Sequence, residues 1–429
     1  MTKAASSLAV LLTAFLTCAA PAGAAQNHNP QMAQNHERRP TQPSRLAPPS
    51  LPVSGASLLV AGTNTPLWSL NGNARLAIAS TTKMMTALVV LQHVRDLNTV
   101  FTQTDWRAEP ADSQIGLIPG ERMTVHDLLV ALLLPSADDA AEDLAFNVGG
   151  GSIPRFVAMM NADARMLGLD HTHYSTPIGL DTPGNYSSPD DLVRLADYMM
   201  RNWPFFRRTV QRSTAVLHSG RYVRHIVNTD DLVGRYHWIH GVKTGHTLQA
   251  GYVLVAEGHR EGFTLLASVL GTSSEASRDG SALALLDWGF SAFRLVRPVR
   301  AGEPFARRPV PYESSPVAIL AEHGYSTVVP RGARIRMRVG SLRTLQGPMA
   351  KGTVVGRLRV VIGSRTAVSI PLVLARRLPP VSMLKKLEHF VKRPFTLLVL
   401  ALLLVGAAAA LIARRRRPRV VALRRVEER

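Results

Sequence analysis

The sequence predicts an α+β domain, then a small all-β domain, then a C-terminal transmembrane helix. Three observations predict this order. From about residue 56 to residue 293, strand-like and helical stretches alternate, with strands at both ends. Short strands separated by glycine and proline then continue to about residue 377, without a helix of credible length. Residues 395–413 carry no charge and, at 1.5 Å per residue, span about 28 Å, close to the ~30 Å hydrocarbon core of a bilayer.

Composition and charge narrow the class of protein. Apolar residues make up 46% of the 429 residues and charged residues 19%, which excludes a wholly disordered chain. The single cysteine, Cys18, excludes an intramolecular disulfide framework and a cysteine-based zinc site. The net charge of +20 requires acidic partners to be considered. Residues 414–429 account for +6 of it, with eight arginines and two glutamates.

The N-terminal residues read as an export signal and a spacer. Residues 1–25 have a positive start at Lys3, an apolar stretch from Leu8 to Leu16 and a small-residue cleavage site, so we predict a signal peptide. Residues 26–53 are rich in Asn, Gln, His, Pro and Arg without apolar periodicity, and we predict a disordered linker.

Residues 54–294 form the predicted α+β domain. Two hairpins are expected, the first from Ser57–Ala61 with Leu67–Leu70 and the second from Ala250–Ala256 with Phe263–Leu270, joined by Glu257–Gly262. The expected helices are Thr82–His93, two stretches between Thr124 and Phe146, Asn161–Leu167, Pro189–Met200 with Ser188 as N-cap, and Ala276–Trp288. Because strands flank the helices, we expect the terminal strands to share one sheet.

The C-terminal part divides into four predicted segments. Residues 295–380 are an all-β domain with strands at Pro316–Leu320, Arg334–Val339, Thr353–Val361 and Ala367–Leu374. Residues 381–394 are an amphipathic stem, residues 395–413 the transmembrane helix, and residues 414–429 a basic tail. The positive-inside rule places this tail in the cytoplasm and the main body on the other side of the membrane.

Three short motifs carry the candidate chemistry. Ser80 and Lys83 lie three residues apart at the start of a predicted helix, so the lysine can take the serine proton once it has lost its own. The same spacing from Ser382 to Lys385 in the stem lacks any chemical context.

Lys243-Thr244-Gly245 lies on a predicted strand, although alone it is typical of a turn. Ser136-Ala137-Asp138 lies between two helical stretches, where an ordinary helix N-cap is the alternative. Their order along the chain makes the set specific.

With these motifs the sequence resembles the serine-type D-alanyl-D-alanine carboxypeptidases, the low-molecular-mass penicillin-binding proteins. The resemblance also covers segments around the motifs, which are Ala79–Ala87, Leu133–Ala141, Leu167–Tyr174, Gly179–Asp181, Gly241–Thr247 and Gly347–Gly356. It implies a penicillin-binding-protein and β-lactamase-like transpeptidase domain, with an antiparallel sheet flanked by helices. It also implies removal of the terminal D-alanine from peptidoglycan stem pentapeptides through an acyl-enzyme, inhibition by β-lactams, and no cofactor or metal.

The resemblance assigns roles to individual residues. Ser80 is implied as the nucleophile that carries the acyl ester, Lys83 as the general base and Ser136 as a proton relay. Lys243 is implied to act electrostatically, and the backbone N–H groups of Ser80 and His246 to form the oxyanion hole. The implied substrate-binding residues are Asp138, Lys243, Thr244, Gly245 and Arg278.

One position departs from the family pattern, because Asp138 stands where the family usually has asparagine. An ionised carboxylate cannot donate the hydrogen bond that an amide donates, and we expect it to pair with Lys83 or Lys243 and raise the pKa of that lysine. A catalytically weak peptidoglycan- or penicillin-binding protein is therefore an alternative. A β-lactamase is a second alternative, although the Asp181 region lacks a Glu-x-x-x-Asn loop.

The resemblance implies the peptidoglycan stem peptide and β-lactam antibiotics as partners. The surplus arginines predict anionic membrane lipid as a further partner. We expect no nucleic-acid partner, because the basic body lies outside the cytoplasm in this topology. His171 and His173 have no supporting carboxylate or cysteine set, so we expect surface residues there and no metal site.

Overall fold

The computed structural model of the chain describes residues 46–106, 109, 112–392 and 394–415. The predicted signal peptide lies outside these residues, as do residues 26–45 of the predicted linker and residues 416–429 of the predicted tail. The boundaries of the predicted domains stay predictions, and the helices and strands below are those of the described residues.

Helices occupy the middle of the predicted α+β domain, its end, and the C-terminal stem. They are α1 (Lys83–His93), α2 (Val125–Leu133), α3 (Asp138–Val148), α4 (Ile153–Met166), α5 (Pro189–Asn202), α6 (Pro204–Val210), α7 (Leu232–Arg235), α8 (Glu275–Ala292), α9 (Met383–Val391) and α10 (Pro394–Arg415). A single 3₁₀ turn, Ala79–Thr82, leads directly into α1.

Strands form two larger sheets and several two-stranded ladders. The strands are β1 (Gly55–Val60), β2 (Trp68–Leu70), β3 (Val100–Thr102), β4 (Arg122–Thr124), β5 (Thr214–Leu217), β6 (Arg224–Val227), β7 (Ile239–Thr247), β8 (Gly251–Arg260), β9 (Phe263–Thr272), β10 (Phe293–Val299), β11 (Pro304–Arg308), β12 (Val317–Ala321), β13 (Tyr325–Pro330), β14 (Ile335–Val339), β15 (Val354–Ile362) and β16 (Arg365–Leu374).

The first large sheet has the antiparallel order β2-β1-β9-β8-β7. Strand β1 pairs with β9 from Gly55 opposite Leu270 to Val60 opposite Leu265, which confirms that the first and last strands of this domain share one sheet. Strand β1 is buried along its whole length because hydrophobic clusters lie on both of its faces. Leu59 joins the cluster of α1 to α5, whereas Leu58 joins that of α8.

Helix α1 lies inside the larger of these clusters. Its residues from Lys83 to Leu91 are all buried, which explains why its sequence is an almost unbroken apolar run. A helix that is buried over these residues holds its start in a fixed position, and this start carries Lys83 directly after the 3₁₀ turn that contains Ser80.

The second large sheet has the order β11-β12-β16-β15-β14, and β10 pairs separately with β13. Alternation along β15 places Leu358 and Val360 in the core of this sheet, so Arg357 and Arg359 point to its outer face. Residues 295–377 contain no helix, which confirms the all-β prediction for this segment.

Helix α10 has no buried residue among those described and is long and apolar enough to cross a membrane. It includes the predicted transmembrane segment, residues 395–413, and extends it by one residue at the start and two at the end. Helix α9 precedes it and exposes apolar side chains, among them Met383, Leu387 and Phe390.

The structure corrects several predicted elements. Helix α4 begins at Ile153, eight residues before the prediction, because Ser152 caps it and Pro154 lies in its first turn. Strand β8 continues to Arg260, so the turn of the second hairpin is shorter than predicted. Strands β3 to β6, β10, β11 and β13 were not predicted. The predicted N-cap Ser188 is confirmed, since its hydroxyl accepts a hydrogen bond from the Asp191 amide at 3.2 Å.

Candidate active site

Ser80 lies in the 3₁₀ turn before α1, at the junction between the helical layer and the first sheet. Its side chain is half-buried, and Lys83 Nζ lies 2.9 Å from Ser80 Oγ. Ala79, just before it, has a φ of 45°, in the left-handed region that an L-residue rarely adopts. Surrounding packing holds this strained turn, as is common where a side chain must be placed for chemistry.

Lys83 is fully buried and makes three hydrogen bonds. Besides Ser80, its Nζ donates to Asp138 Oδ1 at 2.5 Å and to the carbonyl oxygen of Ile178 at 2.9 Å. An ammonium group has three protons, so these three acceptors account for all of them. When the proton that points at Ser80 leaves, the lone pair of the neutral amine is directed at the Ser80 hydroxyl, which is the geometry that a general base requires.

Burial determines the direction of both pKa shifts in the Lys83–Asp138 pair. Burial lowers the pKa of Lys83 below its usual value, although the Asp138 carboxylate raises it. Burial likewise raises the pKa of Asp138, against the effect of Lys83. The expected pairing of Asp138 with Lys83 is confirmed, and the carboxylate raises the pKa of Lys83 as expected. Burial outweighs this effect, so the net shift is downward, and the sequence did not provide the burial of α1 from Lys83 to Leu91.

Lys243 is the second buried lysine of the site. It lies on β7, and its Nζ donates to the carbonyl oxygen of Thr244 at 3.0 Å. Burial lowers the pKa of Lys243 well below its usual value, and the positive charge of Lys83 lowers it further. The positive charge of Lys83 therefore favours the neutral form of Lys243.

The strand that carries Lys243 lies against the nucleophile turn. A Cβ atom added at Gly245 would lie 2.8 Å from the backbone nitrogen of Ser80 and 2.9 Å from the Cβ of Ala79. Only glycine permits this approach. Thr244 precedes it and is buried, whereas His246 follows it, is exposed and stacks on Tyr252 with ring centroids 4.0 Å apart.

Ser136 is buried in the loop between α2 and α3. Its φ is 65°, and among the described residues its Oγ has no hydrogen-bond partner. Ala137, and not Ser136, occupies the N-cap position of α3, so the ordinary capping interpretation of this serine is wrong. A buried hydroxyl without a partner is costly, and a bound substrate can supply the missing bond.

Arg278 lies near the start of α8 and is 2% exposed. Its Nε donates to Asp279 at 2.8 Å, and its Nη1 lies 3.4 Å from Glu275. Asp230 is fully buried, and neither of its carboxylate oxygens has a hydrogen-bond partner among the described residues. Burial raises the pKa of Asp230 to about 7, while the positive charge of Arg278 opposes the shift.

Sequence reasoning missed two residues that hold the Lys-Thr-Gly strand. Thr229 Oγ1 lies 2.6 Å from Thr244 Oγ1, and no pattern around Thr229 indicates this contact. Asp181 accepts hydrogen bonds from Thr247 Oγ1 at 2.6 Å and from the Gln249 amide at 3.0 Å. The segment Gly179–Asp181 is part of the family resemblance, so this second signal was present in the sequence.

Of the two histidines expected at the surface, His173 is exposed, whereas His171 is half-buried and its Nδ1 is buried without a hydrogen-bond partner among the described residues. His173 Nδ1 is 2.6 Å from the carbonyl oxygen of Gly184, and the amide of His171 donates to Asp191. In the part of the chain that the structure describes, no group of three or more His, Cys, Asp or Glu residues is arranged to hold a metal ion.

Comparisons with known proteins show which family and which fold the chain is similar to. A sequence model of the D-alanyl-D-alanine carboxypeptidase family matches residues 45–274. D-alanyl-D-alanine carboxypeptidase DacA of Escherichia coli is 30% identical over 339 residues, and the match covers 76% of this chain and 83% of that protein. DacB2 of Mycobacterium tuberculosis is 38% identical over 223 residues, 50% of this chain and 74% of that protein.

Solved structures share the fold. Penicillin-binding protein 5 from Haemophilus influenzae superposes with a TM-score of 0.62 at 27% identity and covers 78% of this chain and 99% of its own. The Streptomyces K15 DD-transpeptidase superposes with a TM-score of 0.55 at 34% identity and covers 57% of this chain and 100% of its own. The fold class is therefore that of a penicillin-binding protein, with a C-terminal apolar helix in addition.

Proposed function

The chain belongs to the family of D-alanyl-D-alanine carboxypeptidases, and from this premise we propose that Ser80, Lys83 and Lys243 carry out the reaction. The activity is that of a serine-type D-Ala-D-Ala carboxypeptidase, a hydrolase that acts on the peptidoglycan stem peptide. The observation that carries the residue assignment is the 2.9 Å distance between Lys83 Nζ and Ser80 Oγ, with Lys83 fully buried.

Acylation begins with proton transfer from Ser80 to neutral Lys83. Ser80 Oγ attacks the carbonyl carbon between the last two D-alanines while the Lys83 amine takes the hydroxyl proton. The carbonyl oxygen becomes an oxyanion, and the backbone N–H groups of Ser80 and His246 stabilise it. Gly245 lets β7, the strand that carries His246, approach the Ser80 nitrogen closely.

Collapse of this intermediate breaks the C–N bond and releases D-alanine. The leaving nitrogen needs a proton, which Lys83 now holds and which Ser136, buried and without a partner among the described residues, relays. Water then attacks the Ser80 ester with Lys83 again as base, which frees the shortened stem peptide and restores the Ser80 hydroxyl.

The terminal carboxylate of the substrate requires a cationic site. Arg278 supplies a positive charge and the Thr244 hydroxyl supplies a hydrogen-bond donor, while the bound carboxylate itself favours the charged form of Lys243. Thr229, bound to Thr244 at 2.6 Å, fixes the direction of that hydroxyl. A guanidinium group suits a carboxylate because it can donate two parallel hydrogen bonds.

The membrane-bound location is part of the same proposal. Helix α10 anchors the chain, the arginines after it keep the tail in the cytoplasm, and the catalytic domain lies on the outer side after removal of residues 1–25. Helix α9 turns its apolar face to the bilayer, while Lys385 and Lys386 lie at the level of anionic lipid headgroups.

The Lys83–Asp138 pair favours one second candidate, a protein that binds penicillin or peptidoglycan but turns over slowly. The carboxylate adds a counter-charge that opposes deprotonation of Lys83. The test is release of D-alanine from a Lys-D-Ala-D-Ala peptide by the full chain and by Ser80→Ala. Release that disappears in Ser80→Ala supports the carboxypeptidase assignment. Covalent labelling by a fluorescent penicillin without any release by the wild-type chain supports the second candidate.

A further inference from the structure

The positive charge of this chain is distributed very unevenly. Residues 295–380 contain 14 arginines and one lysine but only three glutamates, so they carry +12 of the net +20. Residues 54–294 contain 19 basic and 23 acidic residues, a net charge of −4. The membrane tail explains +6, and a topology signal has no reason to extend into a folded sheet. The charge of the all-β segment therefore needs its own explanation.

Four of these arginines lie together on the outer face of the second large sheet. Arg336 and Arg338 are on β14, and Arg357 and Arg359 are on the neighbouring strand β15. Arg338 is directly opposite Arg359 in the antiparallel register, and Arg336 is opposite Val361. Residues two apart on a strand share a face, so all four side chains point to the same side. We call these four residues the arginine track.

The arginine track lacks counter-charges. All four arginines are exposed, and none forms an ion pair among the described residues. Of the three glutamates in residues 295–380, Glu313 already pairs with Arg376 and Lys385. Like charges directly opposite one another destabilise a sheet, so the Arg338–Arg359 pair is unfavourable for folding alone. A bound polyanion would neutralise these charges and remove their repulsion, which favours binding.

The two ends of the arginine track lie beside different parts of the protein, one beside the catalytic domain and the other towards α9. Arg331, four residues before β14, donates to the carbonyl oxygen of Phe290 at 2.9 Å and pairs with Glu261, both of which precede the all-β segment. The Gly363 amide, in the turn between β15 and β16, donates to the carbonyl oxygen of Arg334. This end of the sheet therefore lies beside the catalytic domain. Strand β16 ends at the opposite side, from which the chain continues to α9.

We propose that the arginine track is a binding surface for the substrate polymer itself, through carboxylates of stem peptides next to the one being cleaved. The inference rests on the proposed function, since it assumes that peptidoglycan is the substrate. Cross-strand neighbours are about 5 Å apart and neighbours along a strand about 7 Å apart, so several guanidinium groups can meet successive carboxylates of a flexible polymer. Guanidinium groups bind carboxylates through paired hydrogen bonds.

A linear polymer fits this surface better than a bilayer does. The arginine track runs along strands whose one end lies beside the catalytic domain and whose other end leads to the stem. A strand of peptidoglycan that follows it runs from the membrane side of the protein to the edge of the catalytic domain at Glu261. Binding there raises the effective concentration of the next stem peptide at the catalytic site without any new contact at Ser80.

The test compares a polymeric with a short substrate. The full chain in detergent and the variant Arg336→Gln/Arg338→Gln/Arg357→Gln/Arg359→Gln are assayed for D-alanine release from uncrosslinked peptidoglycan strands and from a Lys-D-Ala-D-Ala peptide. The matched control removes four exposed arginines of the catalytic domain, Arg155, Arg165, Arg207 and Arg208, also to glutamine. For the track variant we expect KM on the polymer to rise roughly 5- to 10-fold, with kcat on the polymer and both constants on the short peptide unchanged.

Results that overturn the proposal can be distinguished from a result that overturns the proposed function. An unchanged KM on the polymer, or an equal rise in the control, overturns the proposal. Weaker binding of the track variant to vesicles that contain anionic lipid, with KM on the polymer unchanged, also overturns it and assigns the surface to the membrane. If the wild-type chain releases no D-alanine from the short peptide, the proposed function fails. The track is then judged by sedimentation of Ser80→Ala, with and without the four arginines, on insoluble peptidoglycan.

A variant with only two of the four substitutions tests whether misfolding causes the effect of the track variant. Arg338→Gln/Arg359→Gln removes only the opposed pair and relieves the repulsion between the two charges, so its thermal stability should equal or exceed that of the wild-type chain. It should give a smaller rise in KM on the polymer in the same direction. Added salt should raise KM on the polymer for the wild-type chain more than for this variant, because salt screens exposed charges.

Discussion

Lys83 Nζ lies 2.5 Å from Asp138 Oδ1, and both groups are buried, one at the start of α1 and the other at the start of α3. The general base and the carboxylate are thus one buried pair 55 residues apart in sequence. Burial favours the neutral form of each partner, whereas their attraction favours the charged forms. The rate of acylation at a given pH depends on the balance of these two effects.

Asp138→Asn tests that balance. An amide carries no charge, so the pKa of Lys83 should fall further and the fraction of neutral base at a given pH should rise. We expect the acid limb of the acylation profile to move to lower pH and acylation at pH 6 to become several-fold faster. The measurement is the second-order rate of labelling by a fluorescent penicillin between pH 5 and 9. The control is Asp231→Asn, an exposed carboxylate paired with Arg235.

A slower reaction in Asp138→Asn at every pH would contradict this account. It would mean that the carboxylate is needed to orient Lys83, and that an amide does not replace it.

Gly245→Ala tests the contact between β7 and the nucleophile turn. The new Cβ would lie 2.8 Å from the Ser80 nitrogen, so either the strand or the turn must move. That nitrogen is an oxyanion donor in the proposed mechanism, and we expect acylation to slow by about 10²-fold with the fold retained. Gly280→Ala on α8 is the matched control, since an added Cβ there meets no atom within 4 Å. Equal acylation rates in the two variants would refute the role assigned to the close approach.

Thr229→Val tests whether the hydroxyl of Thr244 is held by its neighbour. Valine has nearly the same shape but cannot bond to Thr244 Oγ1. Loss of one hydrogen bond that orients a binding group should raise KM for the Lys-D-Ala-D-Ala peptide roughly 3- to 10-fold, with little change in kcat. Thr229→Ser keeps the hydroxyl and should behave like the wild-type chain. If KM in Thr229→Val stays at the wild-type value, Thr229 has no positioning role.

Asp230 predicts a pH dependence of stability. The pKa of this carboxyl is raised by burial to about 7, above the usual value of 3.8, so the folded state binds its proton more tightly than the unfolded state. Folding stability from this group is therefore full below the unfolded pKa and is lost as pH rises through the folded pKa, between about 4 and 7.

Asp230→Asn removes this loss. From pH 5 to pH 8 the free energy of unfolding of the wild-type chain should fall by on the order of 2 kcal/mol more than that of the variant. The measurement is urea unfolding of both proteins at the two pH values. The comparison isolates Asp230 from Glu142 and Asp143, whose pKa values are also raised to about 7. A difference that does not change with pH would show that Asp230 is ionised or protonated equally in both states.

Sequence reasoning reached the elements with strong local signals. Three such features depend only on residues close to one another in the chain, and each is found as expected. They are the contact of Lys83 with Ser80, the strand that carries Lys243 and the helix cap at Ser188. The pairing of β1 with β9 was also predicted, because strands flanked a helical region.

What sequence reasoning missed depends on packing between distant segments. The net pKa shift of Lys83 follows from the burial of α1 under α2 to α5, which no local pattern measures. The Thr229–Thr244 contact joins a loop to a strand, and the missing partners of Asp230 are a property of the folded interior. The sequence alone does not show that the four arginines of the track form one surface, because this follows from the register of β14 and β15.

The most direct test of the central claim, that Ser80 is a nucleophile activated by Lys83, is to locate the adduct that benzylpenicillin forms. The full chain, Ser80→Ala and Lys83→Gln are incubated with benzylpenicillin at pH 8, digested and examined by peptide mass spectrometry. We expect one penicilloyl adduct, on Ser80, in the wild-type chain, none in Ser80→Ala, and none within the same time in Lys83→Gln. An adduct on any other residue, or undiminished labelling of Ser80 in Lys83→Gln, would contradict the account.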